Sequence, residues 1–591
     1  MDGDPTPQKP HEPRRSAGSA AQPPAATEAP QAQLKDTMIA ITISFAMAFL
    51  FRGFVLEAFQ IPTGSMAPTL LGAHMRFEDP ESGSRWAVGP WQYGPGQTPL
   101  AVQAPLELVS ERTTVRDATG RPFTPVDATD PMSLRTRQET DVPLLAGDRI
   151  FVLKGLYPVL PAGLGGPRRW DCVVFRYPEG PRENFIKRLI GLPDEQLALV
   201  DGDVFARPST SVDDIAGWDA TDWSVQRKPE RVQREVWQPV YDSAFSPIGD
   251  ASFRPPWRGE TDGWDLATGG NAATTAYRYE GSGPTALVWD SRSRGITDAL
   301  AYNDNPTSRS ARRFPVSDVA VSLLIEPERT TDAAANGVEF VLTARGHELR
   351  ISVRGVDATL AVRTAPAASS GPPGAWATLG SGTLGAPLTP GRVTEVEFWH
   401  VDQSLSLFVD GERVCEGSYG WSPADRIASA LGQDFDGVLE RDRMSANALI
   451  SDPDAYQRPQ LRLRFETGPF TLHRVRLDRD LFYQPARYPT RTLKGRHPRA
   501  GEPLAGTHPT MHPVVMGPDD FFLCGDNSPA SSDARAWSQP DPWAQLAFDL
   551  RPGMVDRRLL IGKAFFVYFP APFKLFDRPL VPDLGRVRWI W

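Results

Sequence analysis

A long apolar segment near the N-terminus constrains this chain more than any other feature of its sequence. Residues 37–51 carry no charge, and after Arg52 the chain stays mostly apolar as far as Phe59. At a rise of about 1.5 Å per residue, a helix over 37–59 is long enough to cross a bilayer core of about 30 Å. We therefore expect a single transmembrane anchor. The basic residues that precede it favour a cytoplasmic N-terminus and comprise Lys9, Arg14, Arg15 and Lys35.

The residues before the anchor predict a disordered tail. Residues 1–36 are rich in Pro, Ala and Gln and contain almost no large apolar side chains, so they cannot bury enough surface to offset the entropy of ordering. Two other interpretations of the apolar segment stay open. A buried helix of a soluble protein is one, and a cleaved signal peptide is the other, although the long leader and the lack of an A-x-A site disfavour the latter.

Composition excludes several functional classes. The 591 residues predict two or three folded units, and 58 Pro and 50 Gly favour strands and turns over a helical bundle. A formal net charge of −9 gives no reason to expect nucleic acid as a partner. Cys172, Cys415 and Cys524 match no zinc spacing, and we expect Cys172 and Cys524 to be free buried thiols. His508 and His512 lie between prolines that disfavour a helical metal pair, so no metal or cofactor is expected.

A serine follows the apolar segment in a setting that suits a nucleophile. In FQIPTGSMAPTL, residues 59–70, the residues Pro62, Gly64 and Pro68 prevent a continuing helix and place Ser65 in a tight loop. A serine nucleophile needs a base, and no G-x-S-x-G turn with a histidine partner occurs. A lysine can act instead if burial keeps its amine neutral.

Two lysines end apolar, strand-like runs. Lys154 precedes a loop rich in Tyr, Pro and Gly, where an exposed amine is the ordinary outcome. Lys187 has apolar neighbours, and in a strand it shares one face with Phe185 and Leu189 while Arg188 points to the other. The sequence therefore favours Lys187 as the buried amine.

Four strings in order carry a resemblance to a known family. PTGSMAPTL, GDRIFVLK, WDCVVFRYPEGPRENFIKRLIGLPDEQLALVDGDVF and GDNSPASSDAR resemble the successive boxes of the bacterial type I signal peptidases, and IGKAFFVYFP is similar to the family's last strand. The resemblance covers residues 37–75, 145–206 and 515–575. It implies a membrane-bound serine endopeptidase that removes signal peptides from exported preproteins. It also implies a place in the inner (cytoplasmic) membrane, with the catalytic domain on the periplasmic side.

The resemblance assigns roles to individual residues. Ser65 would be the nucleophile and Lys187 the general base of a Ser/Lys dyad. The Thr63 hydroxyl would join the Ser65 backbone N–H as the oxyanion hole. Ser531 falls, by register alone, at the position whose hydroxyl orients the lysine, and Asp533 with Arg535 would be a supporting ion pair behind the site.

The family's substrates are extended peptides with small side chains before the cut. Such a peptide would bind beside a strand edge. The apolar residues that we expect to line its pockets are Ile61, Met66, Val173, Phe175, Phe185 and Leu189.

A large insertion separates the lysine box from the GDN box. Residues 207–514 contain many short runs that alternate apolar and polar side chains, broken by turns such as Asp410-Gly411. They predict an inserted antiparallel β-sandwich, and VEFWHVDQSLSLFVDGERV is similar to hairpins of laminin-G or concanavalin-like jelly rolls. Residues 76–145 form a smaller insertion. The protein is thus expected to be mainly β, with a peptidase core formed by residues 60–75, 146–206 and 515–591.

The role of the sandwich is open at this point. It is either a spacer or docking surface, or a binding domain for carbohydrate or protein, with exposed Trp399 or Trp421 as platforms. The alternative function is an anchored binding protein with an inactive peptidase core. If the sandwich is only accessory, replacing residues 207–514 by a short loop should leave an active protease.

Overall fold

The computed structural model divides into two compact units at Val55. The expectation for the N-terminal tail lies largely outside the described residues, as do His508 and His512. The structure describes residues 30–93, 99–101, 126–139, 142, 144–155, 157–209, 217–250, 252–266, 274–304, 312–329, 332–365, 374–444, 449–484, 514–537, 540–575 and 578–591.

The first unit contains one helix, Pro30–Phe54. Its segment Lys35–Phe54 is long and apolar enough to cross a membrane, and none of its most apolar window is buried in the protein. The expected extent of 37–59 is wrong at its C-terminal end, because Leu56–Gln60 forms a strand. Gly53 weakens the last helical turn, and the backbone beyond it is paired with Arg149–Leu153 instead.

The second unit contains an antiparallel sheet of eight strands. One of its strands, Leu56–Gln60, precedes Ser65, and another, Gly180–Gly191, contains Lys187. The strand Gly180–Gly191 lies between Cys172–Tyr177 and Asp520–Cys524, although a long stretch of chain separates it from the latter. In spatial order the strands are Leu56–Gln60, Arg149–Leu153, Leu560–Phe569, Cys172–Tyr177, Gly180–Gly191, Asp520–Cys524 and Val555–Asp556, with Arg588–Trp589 paired to Leu560–Phe569.

A β-sandwich lies in the chain between these neighbouring strands. Its two antiparallel sheets share one hydrophobic core, in which Phe340 and Phe398 stack with ring centroids 5.8 Å apart. One sheet contains Trp264–Asp265, Tyr277–Tyr279, Phe470–Arg479, Val319–Pro327, Thr394–Val401, Ser404–Val409 and Glu412–Ser418, with Gln238–Asp242 paired to Phe470–Arg479. The other contains Trp257–Gly259, Thr285–Trp289, Gln460–Phe465, Gly337–Ala344, His347–Arg354, Asp357–Thr364 and Ala377–Thr383.

The mainly β fold with a sandwich is therefore confirmed. Period-two alternation buries every second residue in the sandwich core, and the turn Asp410-Gly411 has φ values of 50° and 82°, as a tight hairpin turn requires. Within the described ranges, the other α-helices are Glu230–Val236, Pro423–Leu431, Phe435–Met444 and Pro542–Phe548. The small hairpins pair Met75–Glu78 with Arg85–Val88, Trp91–Tyr93 with Pro99–Ala101, Val126–Thr129 with Thr136–Glu139, and Pro572–Leu575 with Arg578–Pro582.

One hairpin packs against both the first sheet and the sandwich. Glu195–Val200 and Asp203–Pro208 form a four-stranded sheet with Ser224–Val225 and Val514–Val515. Alternate side chains of the hairpin, Ala198, Val200 and Phe205, pack into the sandwich core. Those on its other face, Leu197, Leu199, Val204 and Ala206, pack with the first sheet. The sandwich is therefore fused to the first sheet through a shared layer, not tethered to it by flexible ends.

Buried charges reinforce this joint. Arg426 of the sandwich lies 3.0 Å from Asp201 and 3.1 Å from Asp203 of the shared hairpin, and 3.3 Å from Asp318. Burial alone would raise the pKa of Asp318, but the charges of Arg426 and Arg345 hold that pKa well below its usual range. One oxygen each from Asp203, Asp318 and Asp402 lie within 4.8 Å of one another. Arg426 and Arg345 compensate Asp203 and Asp318, and Lys228 pairs with Asp402 at 2.7 Å, so the group acts as an ionic joint between the two layers.

Candidate active site

Ser65 and Lys187 meet at the edge of the first sheet. Ser65 lies in a single 3-10 turn, Gly64–Met66, directly after the first strand. The Lys187 Nζ donates a hydrogen bond of 2.7 Å to the Ser65 Oγ and one of 3.1 Å to the Ile186 carbonyl. The Lys187 side chain projects from its strand on the same side as Phe185, whose ring centroid lies 5.1 Å from the Nζ. Lys187 and Phe185 therefore share one face of the strand, as the sequence predicts.

Burial changes the acidity of this lysine. Lys187 is 2% exposed, and desolvation lowers its pKa from the ordinary 10.5 to about 8, against the opposing charge of Asp533. Lys154 is placed quite differently. Its Nζ forms an ion pair of 2.8 Å with Glu57, and its side chain is 24% exposed. Of the two lysines, Lys187 is the one that contacts a serine, whereas Lys154 contacts a carboxylate.

The residue after Lys187 fixes the strand to the GDN segment. Arg188 is fully buried and forms an ion pair of 2.7 Å with Asp526, while its Nη1 donates to the Trp170 carbonyl at 2.8 Å. Strand alternation separates the two side chains, so one neighbour faces Ser65 and the other anchors the backbone. Sequence reasoning placed Arg188 on the far face but did not identify its partner.

Asn527 holds the turn that carries Ser65. Its backbone N–H donates to the Ser65 carbonyl at 3.1 Å, and its side-chain Nδ2 donates to the Gly64 carbonyl at 2.9 Å. The side chain also pairs with Asn303, which lies in a 3-10 turn of the sandwich segment. Sequence reasoning missed both asparagines. Asn527 lies in the GDN box and could have been singled out, whereas nothing in the residues around Asn303 marks it.

The expected supporting residues lie behind this turn. Asp533 and Arg535 form a buried ion pair of 2.7 Å, and Asp533 accepts a 3.0 Å hydrogen bond from the Gly525 N–H. Burial would raise the pKa of Asp533, but the Arg535 charge and its hydrogen bonds keep it below the usual value. The Ser531 Oγ is buried and lies beside Asp533, whose pKa it helps to lower. The structure therefore does not join Ser531 to Lys187.

Thr63 stands at the entrance to the turn with an extended backbone, φ −124° and ψ 160°. Its side chain is exposed and makes no capping hydrogen bond to the turn that follows. The hydroxyl is consequently available to a ligand rather than used to hold the turn.

The residues expected to line substrate pockets divide between two cores. Ile61 and Met66 pack in one hydrophobic cluster, whereas Val173, Phe175 and Leu189 pack in another. All five are at most 2% exposed. Phe185 is the partly exposed member, and its ring stacks on Tyr177 with centroids 4.2 Å apart. The structure thus does not bring the six residues together as one open wall, because Ile61 and Met66 pack with Val174 and Ile186, on the opposite face of the sheet from the other four.

The two tryptophans proposed as sugar platforms are not exposed. Trp399 is 4% exposed and is covered by the Arg234 guanidinium, 4.7 Å from its ring centroid, and by the edge of Trp237. These residues border a cavity of about 330 Å³ on the outer face of the larger sheet. Trp421 is half-buried against Tyr419 and His347. The expectation of an exposed platform at Trp399 is wrong, since an arginine already occupies its face.

The three cysteines are free and buried, which confirms the expectation for Cys172 and Cys524. Burial raises the pKa of the Cys524 thiol well above its usual value, so it stays protonated and takes no part as a nucleophile.

Comparison with known proteins agrees with this geometry in one region. Residues 134–208, which include Lys187, match the family described as signal peptidase, peptidase S26. Signal peptidase I of Pseudomonas aeruginosa is 46% identical over 59 residues, covering 9% of this chain and 21% of that protein. The chain thus spans about a fifth of the length of the curated relatives it matches.

Solved structures resemble the chain only at low similarity. The galectin LEC-6 of Caenorhabditis elegans is 12% identical, with a TM-score of 0.16 over 27% of this chain and 83% of that one. A Bacillus subtilis protein of unknown function with a galectin-like fold is 9% identical, with a TM-score of 0.23 over 41% of this chain and 97% of that one. The sandwich assignment rests on the two sheets themselves, and the S26 match supports a signal-peptidase-type hydrolase domain in this chain.

Proposed function

We propose that this protein is a membrane-anchored serine endopeptidase that removes signal peptides from exported preproteins. The observation that carries the proposal is the 2.7 Å contact between the Lys187 Nζ and the Ser65 Oγ, made by a lysine whose pKa is lowered to about 8. A lysine at its ordinary pKa would be protonated near neutral pH and unable to accept a proton. The S26 match and the apolar N-terminal helix support the same function.

The proposed reaction is acyl transfer in two steps. Neutral Lys187 takes the proton of the Ser65 hydroxyl as its oxygen attacks the carbonyl carbon before the scissile bond. The resulting ammonium gives that proton to the leaving amine, and an ester to Ser65 remains. Lys187 then removes a proton from water, which attacks the ester carbon. The resulting ammonium returns that proton to the Ser65 oxygen as the acyl bond breaks, which releases the carboxyl product and free Ser65.

Two donors are proposed for the negative charge that develops on the carbonyl oxygen. They are the Ser65 N–H and the hydroxyl of exposed Thr63. Asp533 and Arg535 support the segment behind the dyad. Ser531 is proposed as a further group that orients Lys187, because its buried hydroxyl lies beside Asp533, whose charge acts on Lys187.

An edge of the first sheet suits an extended peptide. The strand Gly180–Gly191 pairs with Asp520–Cys524 only from Arg188 onward, so among the described residues its preceding part has a partner on one side only. A substrate strand could add there beside Lys187 and in reach of Ser65. We propose the N-terminus on the cytoplasmic side of the inner membrane and the site on the periplasmic side, where exported preproteins emerge.

The alternative function, an anchored binding protein with an inactive peptidase core, does not explain the buried amine of Lys187. Burying a lysine amine without a carboxylate partner is unfavourable, and a core that only supports another domain gains nothing from it. The sandwich is proposed to serve the peptidase, and any carbohydrate or protein partner of it is secondary to that role.

Paired substitutions test the proposal. Ser65→Ala and Lys187→Met should each abolish cleavage of a preprotein by the full-length protein in detergent, and the double variant should be no worse, since the two residues act as one unit. Lys154→Met is the matched control and should keep most activity, because its amine is paired with Glu57. Activity in Lys187→Met together with loss in Lys154→Met would refute the assignment of the base.

A further inference from the structure

A residue of the sandwich segment reaches the turn that carries Ser65 through one intermediary. The Asn303 Nδ2 donates to the Asn527 Oδ1 at 2.7 Å, and the Asn527 Nδ2 donates back to the Asn303 Oδ1 at 2.8 Å. The same Asn527 Nδ2 donates to the Gly64 carbonyl at 2.9 Å. With Asn303 in this orientation, a flipped Asn527 amide would place oxygen against oxygen and nitrogen against nitrogen, so the pair favours the orientation in which the Asn527 NH₂ group faces Gly64.

The orientation of the Gly64 carbonyl determines where the Ser65 N–H points. Both belong to one peptide unit, which is planar and trans, so C=O and N–H point in opposite directions. Asn527 holds the carbonyl on its own side and thereby aims the Ser65 N–H away from itself. In the proposed reaction that N–H is a donor to the developing oxyanion.

A second contact from the sandwich segment limits movement of the same turn. The ring of Tyr302 lies against Gly64, where a Cβ would be only 1.9 Å from the Tyr302 Cε1. The Tyr302 hydroxyl donates to the Ala73 carbonyl at 2.6 Å, and its own carbonyl accepts from the Gly89 N–H at 2.7 Å. Tyr302 therefore contacts the turn directly, and Asn303 reaches it through Asn527.

We propose that Asn303 is a positioning residue for catalysis: by fixing the Asn527 amide, it orients the peptide unit whose N–H stabilises the transition state. This inference rests on the proposed function of Ser65. It makes the inserted sandwich a supplier of part of the active-site framework. Asn303 touches neither the dyad nor the substrate and acts only through Asn527.

Steady-state kinetics on the full-length protein in detergent test this role. Asn303→Ala should lower kcat about 10- to 100-fold, below the 100- to 1,000-fold typical of losing an oxyanion donor outright, with KM little changed. The pH dependence of the rate should keep its midpoint, because Lys187 is untouched. Asn303→Asp should lose at least as much of kcat as Asn303→Ala, since one carboxylate oxygen would face the Asn527 Oδ1, to which the Asn303 Nδ2 now donates.

Matched variants separate this role from general loosening. Asp304→Ala removes the hydrogen bond that the Thr129 N–H donates to the carboxylate of this neighbouring residue and should leave kcat unchanged. Asn303→Ala added to Asn527→Ala should cost nothing further. If Asn303→Ala folds poorly by thermal unfolding, Asn303→Ser, whose hydroxyl is too short to pair with the whole amide, should show the same loss of kcat.

The outcomes distinguish this inference from the function beneath it. Cleavage by Ser65→Ala would refute the proposed function itself. An inactive Ser65→Ala together with wild-type kcat in Asn303→Ala would refute only the positioning role. Wild-type kcat in Asn303→Asp would also refute it, because a carboxylate cannot donate to the Asn527 Oδ1.

Discussion

Arg188 and Asp526 form a two-bond ion pair in which both side chains are completely buried. The Arg188 Nε donates to the Asp526 Oδ1 at 2.8 Å, and its Nη2 donates to Oδ2 at 2.7 Å. Arg188 follows Lys187, and Asp526 precedes Asn527, which holds the Ser65 turn. The pair therefore sets the distance between the proposed base and the proposed nucleophile.

Breaking this pair from one side should destabilise the protein strongly. Arg188→Met leaves the Asp526 carboxylate buried without compensation, which costs about 3–5 kcal/mol, whereas Arg188→Met with Asp526→Leu should recover much of that loss. Thermal unfolding of the full-length protein in detergent measures both. Arg85→Ala is the control, because its pair with Glu78 is more than half exposed and should contribute about 1 kcal/mol or less. A double variant as unstable as the single one would contradict this explanation.

The rate of cleavage should rise with pH. Lys187 accepts a proton only when neutral, and burial lowers its pKa to about 8, so kcat/KM should increase through that pH and level off above it. A pH–rate profile on one preprotein gives the midpoint. Lys154→Met should leave it unchanged. A midpoint near 10.5, the ordinary value, would show that Lys187 is not desolvated in the working enzyme.

Removing the buried amine should make the protein more stable at neutral pH. The folded-state pKa of Lys187 is about 8 and its ordinary value 10.5, so the unfolded state binds more protons between these values and stability rises with pH there. The loss of unfolding free energy caused by burying the Lys187 amine is complete below about pH 8. At 1.36 kcal/mol per pKa unit, it is about 3 kcal/mol. Lys187→Met should therefore unfold at a higher temperature than wild type at pH 7, with the difference shrinking towards pH 10.5. A variant less stable than wild type at pH 7 would contradict the desolvation argument.

Patterns local in sequence predicted much of the fold and part of the site. Period-two alternation identified the sandwich strands because each buries alternate residues on one face. The same rule placed Lys187 and Phe185 together and Arg188 opposite. The Pro and Gly residues around Ser65 predicted a turn, and a 3-10 turn occurs there.

What the sequence did not predict depends on contacts between distant segments. Asn303 is one short polar residue in an irregular stretch, and only the packing of the sandwich on the first sheet brings it to Asn527. Trp399 looked like an exposed platform because a strand pattern cannot show that Arg234 covers its ring. The hydropathy pattern likewise predicted a helix that extends beyond Phe54, where the helix ends. The helix ends because the following residues pair as a strand, and not because polar residues begin there.

The structure reverses one sequence-based expectation, that residues 207–514 can be replaced by a short loop without loss of activity. Such a variant loses Asn303 and exposes Val200 and Phe205, which pack in the sandwich core. Exposing these apolar side chains favours aggregation. We now expect a poorly soluble protein and, in any soluble fraction, turnover at least about 10-fold lower, by the loss of oxyanion positioning. A soluble deletion variant with wild-type turnover would show that the sandwich is only accessory.

Thr63 provides the sharpest test of the proposed oxyanion hole. Thr63→Val keeps the β-branched shape but removes the hydroxyl, so packing should barely change. If the hydroxyl meets the developing charge, kcat should fall about 100- to 1,000-fold, which is about 3–4 kcal/mol.

The structure weakens the alternative that Thr63 only holds the turn, because its side chain is exposed and makes no capping hydrogen bond. Thr63→Ser restores a donor and should stay near the wild-type rate. Turnover of one preprotein by wild type and both variants, with thermal unfolding measured alongside, decides the matter. Equal rates for Thr63→Val and wild type would remove Thr63 from the reaction and leave the Ser65 N–H, oriented through Asn527, as the proposed donor on the protein backbone.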